Sequence, residues 1–424
     1  MPETNFLSSQ AEFDAVIIGA GPAGTSAAIL LAQHGWRIAL VEKQNFPRRK
    51  VCGECIAASN LPLLDALGIG DRVAKLAGPP LREVALMRGS TSLRAPLPAY
   101  AHARHQWGKA LGREYLDTFL RDRALQWGVT VLQPWMAKSV QGGPGNFSCM
   151  LAQPQSSQTM SLLTPVVIAA HGSWEIAPTP EFERLSPKPS DLFAFKATYR
   201  NARLEPGLLP VLSFNGGYGG MVLGGHDLVT IACCIRRDTL RRCRCDADGN
   251  KAALAVAAYL QAQCAGVDAV IGGAEEEGGW LSVGPIRPGI RIGASGDGIF
   301  RIGNAAGEAH PIIGEGMSMA MQSAWLLSGK LALHRREMRN VRTQARLLVD
   351  YTSAWRQHFS GRIRLAALFA HVAMRDRLSG SAVAMLRSYP GMLTHGARLS
   401  GKVRCAVDPY QTAEVLPIIN NQHA

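Results

Sequence analysis

The sequence predicts an α/β fold in which a Rossmann-type parallel sheet is interleaved with an antiparallel sheet and followed by a helical region. Three observations support this prediction. A strand, a glycine turn, a helix and a second strand fill residues 14–42, short β-type runs between glycine-rich turns fill residues 193–235, and basic helix-forming sequence follows residue 330. The chain has 424 residues, 47% hydrophobic and 18% charged. It therefore exceeds the usual size of one core, and it is not a disordered, collagen-like or coiled-coil chain.

The N-terminal unit has the order expected of a dinucleotide-binding domain. A buried strand over 15–18 leads through Gly19-Ala-Gly-Pro-Ala-Gly24 into a helix that ends near Gly35, and a strand over 37–41 closes with Glu42. The glycine motif follows a strand, opens a helix and precedes an acidic residue by 18 positions. Because of this context, it is far more specific than a lone G-x-G-x-x-G.

Each position of the turn has a physical reason. Gly19 permits the tight turn, Gly21 lets the backbone approach a pyrophosphate, and Gly24 lets the helix pack closely on the strand. Unpaired N–H groups at the helix N-terminus bind phosphates, and Glu42 accepts hydrogen bonds from ribose hydroxyls. The alternative is a glycine turn without a ligand, and the motif alone does not separate NAD from FAD.

Periodicity predicts the elements that follow this unit. They are a helix over 113–127, a strand from Val129, an antiparallel ribbon within 147–170 ending in a buried strand over 166–170, a linker over 186–190, a helix over 251–263, a strand over 299–302 and a helix over 314–333.

A second glycine-rich segment decides the cofactor. Residues 301–317 read RIGNAAGEAHPIIGEGM, in which a strand meets a turn and a glycine-rich loop opens a long helix. With this motif the chain resembles the FAD-dependent oxidoreductases of the para-hydroxybenzoate hydroxylase fold, a superfamily of aromatic hydroxylases, geranylgeranyl reductases and flavin-dependent halogenases. FPRRKVCGE at residues 46–54 and REYLDTFL at residues 113–120 are also similar to family segments. The resemblance covers residues 14 to about 330 and implies FAD as the cofactor.

The resemblance also implies a division of the chain. We expect a discontinuous FAD-binding domain over 1–80, 101–185 and 281–330, and an antiparallel-sheet substrate domain over 81–100 and 186–280. A basic helical region over 331–424 follows them.

The resemblance assigns FAD contacts residue by residue. Gly303 and Asn304 would meet the ribityl chain and the pyrophosphate, and Asn304 stands where many relatives have Asp but keeps a hydrogen-bond acceptor. The helix after Gly316 would direct its positive dipole end toward the negative charge of reduced flavin. The other implied cofactor contacts are Gly19, Gly21, Pro22, Ala23, Gly24, Glu42, Lys43, Lys50, Cys52, Gly53, Arg113, Gly316 and Met317. The residues it places against the isoalloxazine ring, as catalytic candidates, are Pro311, Gly314, Glu315, Gly316 and Met317.

His171 departs from the family pattern. It lies in the segment AAHGSW at residues 169–174, where aromatic hydroxylases usually have Asp beside FAD and NAD(P)H. We therefore expect the reductant to be either NAD(P)H or a separate flavin reductase. His171 is a candidate catalytic base, with a purely structural histidine as the alternative.

Cysteine usage favours a reducing compartment. Cys52 and Cys55 have the spacing of a redox dithiol, but they lie in a nucleotide-binding context, and the nine cysteines do not form a secreted disulfide framework. No second pair has zinc-ligand spacing, so we expect no metal site. The N-terminal segment lacks signal-peptide features, and no apolar run approaches the ~20 residues of a transmembrane helix. We expect a cytoplasmic protein.

The leading functional hypothesis, which the family implies, is a monooxygenase. It would hydroxylate an electron-rich aromatic, a phenol or an indole, through a flavin hydroperoxide. Phe195, Phe214 and Tyr218 on the antiparallel sheet are candidates for the substrate wall opposite the flavin. Three alternatives stay open: reduction of isoprenoid double bonds as in geranylgeranyl reductases, halogenation, and a non-catalytic FAD-binding module. The halogenase signature W-x-W-x-I-P is absent from the chain.

The net charge of +13 belongs mostly to the C-terminal region. Residues 330–424 contain 15 Lys or Arg and five Asp or Glu, a net charge of +10. Such a region suits an acidic protein or carrier partner or an anionic membrane, with a solvated helical face as the plain alternative. The substrate is thus expected to be a small aromatic molecule or one borne by a carrier, peptide or protein, and no nucleic acid partner is expected.

Overall fold

A computed structural model describes residues 12–173, 186–246, 252–293 and 296–408. The strands in these ranges are β1 Ala15–Ile18, β2 Ile38–Val41, β3 Cys55–Ile56, β4 Glu83–Arg88, β5 Thr91–Pro96, β6 Lys109–Ala110, β7 Thr130–Leu132, β8 Met136–Gly143, β9 Asn146–Ala152, β10 Thr159–Thr164, β11 Val167–Ala169, β12 Leu192–Arg200, β13 Leu208–Phe214, β14 Gly217–Leu223, β15 Val229–Arg236, β16 Glu275–Glu276, β17 Leu281–Ile286, β18 Gly289–Ile290, β19 Phe300–Arg301 and β20 Gly307–Glu308. The α-helices are α1 Pro22–Gln33, α2 Leu61–Ala66, α3 Gly70–Leu76, α4 Arg113–Gln126, α5 Arg237–Asp246, α6 Ala252–Gln263, α7 Ala265–Ile271, α8 Gly316–Leu331, α9 Val341–Ala373, α10 Asp376–Ser388 and α11 Gly391–Ser400. The predicted helix start at Lys251 lies outside the described residues.

A five-stranded parallel sheet organises the N-terminal half, in the order β19-β11-β1-β2-β7. All four residues of β1 are buried, as expected for a parallel strand covered on both faces. Alanines and leucines of α1 pack on one face, and the ribbon β8–β10 covers the other. Because β1 connects through α1 to β2 while β11 and β19 lie on its other side, the strand order reverses at β1. Its carboxyl end is therefore the switch point where such sheets bind ligands.

A larger sheet of eight strands forms the second layer. Its order is β16-β12-β15-β14-β13-β4-β5, with β17 beside β12. The predicted antiparallel pattern holds for β12 to β15, but β13 and β4 are parallel. The hairpin β4–β5 comes from a distant part of the chain, and it extends the sheet through this parallel pairing. One face of the sheet packs on α6 and α7.

The 33-residue helix α9 joins the two layers. The Asn340 side chain caps it by accepting hydrogen bonds from the Arg342 and Thr343 N–H groups. Trp355 and Phe359 pack into the core of the parallel-sheet half, whereas Ala370 and Ala373 pack against the large sheet. The helix α10 then packs on α9, and α11 packs on α9 and on β5 of that sheet. The sequence indicated helices here but not that α9 connects both halves. Among the described residues, no helix is both long and apolar enough to cross a bilayer.

The fold class is the predicted one: a Rossmann-type sheet, a largely antiparallel sheet and C-terminal helices. The helix predicted over 314–333 begins two residues later, at Gly316, because Gly314 has a left-handed φ of +62° that ends the preceding turn.

Candidate functional site

The glycine turn lies at the carboxyl end of β1. Gly19 has a φ of +108°, and a Cβ atom there would lie 2.9 Å from the His171 Cα atom. A Cβ atom at Gly24 would lie 3.0 Å from the Ala170 Cβ atom, so the helix packs directly on β11. At Gly21, by contrast, a Cβ atom would come near only the Arg113 guanidinium, at 3.6 Å. The space above the N-terminus of α1 is thus an open cradle beside a cation, which suits a pyrophosphate.

The second glycine segment meets the first. Gly303 has a φ of +59°, and a Cβ atom there would lie 2.9 Å from the Ala23 Cβ atom. Its N–H donates to the Ser323 hydroxyl of α8 at 2.8 Å. The Asn304 amide donates to the Ser173 hydroxyl at 3.1 Å and to the Glu308 carboxylate at 3.2 Å. Both predicted halves of an FAD site therefore lie at one place, and the ribityl contact of Asn304 stays a prediction.

Glu42 fixes the glycine turn from the end of β2. It is buried, and its carboxylate accepts hydrogen bonds from the Ala20 N–H at 3.1 Å, the Gln44 N–H at 3.0 Å and the Arg48 guanidinium at 3.1 Å. The contact of Glu42 with a ribose hydroxyl stays a prediction. It would use carboxylate lone pairs that these three donors leave free.

Several cations gather beside the cradle. The Arg113 guanidinium forms two hydrogen bonds with the Asp117 carboxylate, at 2.7 and 2.8 Å, while Arg48 lies 3.6 Å from the same carboxylate. Burial, together with the charges of Arg48 and Arg113, lowers the pKa of Lys50 to about 8. Lys43, also a predicted contact, is exposed. A cluster whose own repulsion lowers a lysine pKa is suited to an anion, and these residues fit the diphosphate of FAD.

The turn after Cys52 is held by a buried ion pair that sequence reasoning missed. Glu54 has a φ of +57° and accepts hydrogen bonds from the Lys196 ammonium, from the Thr230 hydroxyl at 2.8 Å and from the Arg113 N–H at 3.0 Å. Lys196 is fully buried in β12. A lone lysine inside an apolar strand pattern was the available signal, because buried lysines occur almost only in pairs. The pair ties the FAD-facing turn to the large sheet.

The loop predicted to face the isoalloxazine ring opens α8. Pro311–Ile313 form a 3₁₀ turn, Gly314 is left-handed, Glu315 is buried, and Gly316 begins the helix. Met317 packs into the core. Cβ atoms placed on Gly53 or Gly316 would touch nothing within 4 Å. The two glycines thus face open space, as needed where a flat ring lies.

A cavity of about 520 Å³ adjoins this loop. Its walls are Cys52, Gly53 and Cys55 on one side, Pro311–Gly314 on another, the free face of the large sheet, and the helices α9, α10 and α11. Nearly all of these side chains are apolar, so the cavity suits a large apolar molecule. The C-terminal helices form its outer wall, which the sequence did not predict.

Lys402 is the only charged residue among the described residues that line the cavity. Its Nζ lies 3.4 Å from the Gly314 carbonyl oxygen, 3.5 Å from the Glu315 carboxylate and 3.6 Å from the Cys55 sulfur. Burial lowers the pKa of Lys402, but Cys55 and Glu315 raise it by more, so it stays an ammonium ion. Burial raises the pKa of the Cys55 thiol. The chain therefore places one cation between the ring-facing loop and the cavity.

Of the three aromatic residues predicted for the substrate wall, one lines the cavity. Tyr218 lines the cavity, and its hydroxyl lies 3.1 Å from His310 Nδ1. Burial lowers the pKa of His310 to about 4. Phe195 and Phe214 were wrong, because alternation along β12 and β13 turns them to the opposite face, where they pack with α6 and α7.

His171 lies outside the cavity, whereas Cys52 and Cys55 lie on its wall. His171 lies beside Gly19 and is not among the residues that line the cavity. Its role as a base stays a prediction. Cys52 and Cys55 are free thiols on the cavity wall. Within the described ranges, no three His, Cys, Asp or Glu residues are grouped as a metal would require.

Comparison with known proteins supports FAD as the cofactor. The family model for an FAD binding domain matches residues 12–181. The chain contains an FAD-binding domain and has the fold of flavin-dependent halogenases and monooxygenases. Over 58 residues it is 45% identical to the tryptophan 2-halogenase of Chondromyces crocatus, an alignment that covers 14% of this chain and 11% of that protein. Curated relatives of this flavoprotein are matched over about a third of their own length or less.

Two solved structures share the whole architecture of this flavoprotein. The myxobacterial chondrochloren halogenase has a TM-score of 0.73 at 16% identity, with 91% of this chain and 90% of that chain covered. A probable FAD-dependent monooxygenase from Pseudomonas aeruginosa has a TM-score of 0.65 at 17% identity, covering 88% and 100%. At these identities the likeness shows the fold.

Proposed function

We propose that this flavoprotein hydroxylates an electron-rich, largely apolar aromatic molecule in the 520 Å³ cavity. The observation that carries the proposal is the position of Lys402, a protonated amine on an otherwise apolar wall next to the loop that faces the flavin. When bound and reduced, FAD supplies two electrons to oxygen, so that one oxygen atom replaces hydrogen on the aromatic carbon as a hydroxyl and the other leaves as water.

The cation would select and activate the substrate. A phenol entering the cavity would direct its oxygen toward Lys402, because the described lining offers no other charge. The ammonium stabilises the phenolate over the phenol, and a phenolate ring is the better nucleophile. The Lys402 hydrogen bonds to Gly314 and the ion pair with Glu315 hold the amine in place.

The rest of the cavity would position the ring and exclude water. The apolar faces of β13 and β14 and of the C-terminal helices provide the contact area. Tyr218 stays a neutral phenol, because burial raises its pKa well above the ordinary value, and it can donate or accept one hydrogen bond beside His310. The volume admits a molecule larger than a single ring, which includes the aromatic end of a carrier-borne or peptide-borne substrate.

Halogenation is the second candidate. The 45% identity with tryptophan 2-halogenase and the architecture shared with the chondrochloren halogenase favour it. A cation in the cavity wall is compatible with either reaction. The two reactions differ in what the product gains, namely oxygen from O₂ or a halogen from a halide.

The test is a product analysis under ¹⁸O₂. FAD-loaded protein, reduced by light or by a flavin reductase, is mixed with a panel of apolar phenols, indoles and unsaturated isoprenoids, in buffers with and without bromide. Hydroxylation predicts products that carry one ¹⁸O atom in either buffer. Brominated products that appear only with bromide would replace hydroxylation by halogenation, and saturated isoprenoids without oxygen uptake would support the reductase alternative.

A further inference from the structure

Exposed apolar side chains are concentrated on the C-terminal helices. Residues 368–399 are less than a tenth of the described residues, yet they hold six of the 13 large apolar side chains that are exposed there. These six, with the neighbouring arginines named below, form what we call the mouth face: Leu368, Leu378, Met385, Tyr389, Met392 and Leu399. Single exposed apolar residues are ordinary, whereas a cluster of this kind marks an interaction site.

The mouth face is continuous with the cavity. Leu368, Met385 and Met392 are 42 to 56% exposed and also line the cavity. In α10, the buried and half-buried Ser379, Ala382, Val383 and Leu386 face inward and line the same cavity. The cavity therefore opens among α9, α10 and α11, and an apolar molecule entering there would meet apolar residues throughout.

Exposed arginines lie on the helices that form this opening. The exposed arginines on the same helices and their connections are Arg364, Arg375, Arg377, Arg387 and Arg398. Between residues 356 and 404 the chain has nine Lys or Arg, and Asp376 is the only acidic residue. Asp376 itself pairs with Arg88 at 2.6 Å. In the described part of the chain, Arg377 and Arg398 form no ion pair, so their charges are available to a partner.

We propose that the mouth face docks on an anionic lipid bilayer, from which an apolar substrate enters the cavity. Short helices with apolar and cationic residues side by side bind at the headgroup boundary, where both kinds of side chain are satisfied. An acidic protein partner would pair with the arginines but would leave the exposed apolar residues unsatisfied. A substrate borne by such a carrier would also have to bring its polar linker through this apolar opening. The substrate part of this inference rests on the proposed function, but membrane docking is measured without turnover.

The experiment is vesicle flotation of the FAD-loaded full chain. Vesicles of phosphatidylcholine alone are compared with vesicles containing 30% phosphatidylglycerol, at 50 and 500 mM NaCl. We expect the protein to float with the anionic vesicles at low salt and to stay at the bottom with the neutral ones. Because each basic residue near an anionic surface strengthens binding about fivefold, the double change Arg377→Glu and Arg398→Glu should weaken it at least tenfold.

A second variant tests the apolar part. Leu378→Ser with Leu399→Ser should weaken flotation about tenfold, while FAD binding and far-ultraviolet circular dichroism stay unchanged, since neither residue lines the cavity. The matched controls lie near the start of α9, where Arg346 and Val349 are exposed about 27 Å along the helix axis from Arg364 of the mouth face. Arg346→Glu and Val349→Ser should leave flotation as it is.

If the protein stays at the bottom of the gradient with both vesicle types, the proposal is overturned. An acidic protein is then left as the partner of this face. The proposal is also overturned if the mouth-face substitutions weaken flotation no more than the control substitutions do. Either result leaves hydroxylation standing, because the ¹⁸O₂ analysis uses dissolved substrates and no vesicles.

Discussion

Around the glycine turns, backbone N–H groups and paired charges shape the site, whereas around the cavity a single charged side chain lies among apolar residues. The cofactor end brings together Glu42, Arg48, Lys50, Arg113 and Asp117 within short stretches of sequence. The cavity joins residues as distant as Cys55 and Lys402. The first is determined by local motifs and the second by packing between remote segments.

The difference teaches where change is tolerated. A diphosphate is held by many donors, so losing one cation weakens binding modestly. At the cavity a single cation has no substitute, so its loss should strongly slow the proposed reaction while leaving cofactor binding intact. The Glu54–Lys196 pair lies between the two ends and links them.

The largest effect is expected at this link. Lys196→Met should destabilise the protein by about 3 to 5 kcal/mol, because it leaves the buried Glu54 carboxylate without its cation. Combining it with Glu54→Gln should recover part of that loss. Urea unfolding of the wild type, of each single variant and of the double variant measures the coupling energy between the two residues. Glu277→Gln, in the exposed pair with Arg200, is the control and should cost at most about 1 kcal/mol. Equal losses at both pairs would show that the link is not structural.

The next effect concerns turnover. Lys402→Met should lower the rate of hydroxylation about 100-fold, equivalent to about 2.7 kcal/mol, with FAD affinity changed by less than about twofold. Lys402→Arg keeps the charge and should recover a part of the rate. Steady-state oxygen consumption and FAD fluorescence titration provide the two readouts. Weaker FAD binding in Lys402→Met would instead assign this lysine to the cofactor end.

Acid should destabilise the cavity side through His310. Burial lowers its pKa from 6.5 to about 4, so between these values the unfolded chain binds a proton that the folded chain does not. Stability is then lost as the pH falls from about 6.5 toward 4, by about 2 kcal/mol at pH 5. The free energy of unfolding of wild type and of His310→Asn, measured at pH 7.5 and 5.0, checks this. The variant should lose less stability on acidification than wild type does. His395→Asn, an exposed residue of α11, should retain the wild-type loss.

The smallest effect concerns the cofactor end. Since the Lys50 pKa is about 8 in the free protein, its charge is present below that value and lost above it. FAD affinity should therefore fall about tenfold, or about 1.4 kcal/mol, between pH 7 and pH 9.5. Lys50→Arg should flatten the profile, while Lys138→Arg, an exposed position in β8, should not. A slope that survives Lys50→Arg would assign the titration to another group.

The cofactor end can be predicted from the sequence much further than the cavity, for physical reasons. The strand over 15–18, the helix from Pro22 and the helix from Arg113 carry their signals locally, in glycine positions and 3.6-residue periodicity. Gly303 was placed through a motif, and the structure brings it against Ala23. The cofactor and the fold class follow from such short-range signals.

The cavity could not be predicted in the same way. Lys402 appears in the sequence as one of many basic residues, and only the packing of the C-terminal segment against Gly314 distinguishes it. The faces of Phe195 and Phe214 depend on strand register, in which a shift of one residue reverses every side chain. The parallel pairing of β4 with β13 likewise joins remote segments that carry no local signal of each other.

The most direct test of the account measures the pKa of a phenol bound in the cavity. 2-Naphthol is titrated by fluorescence in the presence of FAD-loaded wild type and of Lys402→Met. An apolar cavity alone raises a phenol pKa, whereas an adjacent ammonium lowers it. We predict a pKa below that of free 2-naphthol in wild type and above it in Lys402→Met. A bound pKa that is raised in both proteins would contradict the assignment of Lys402 as the group that activates the substrate.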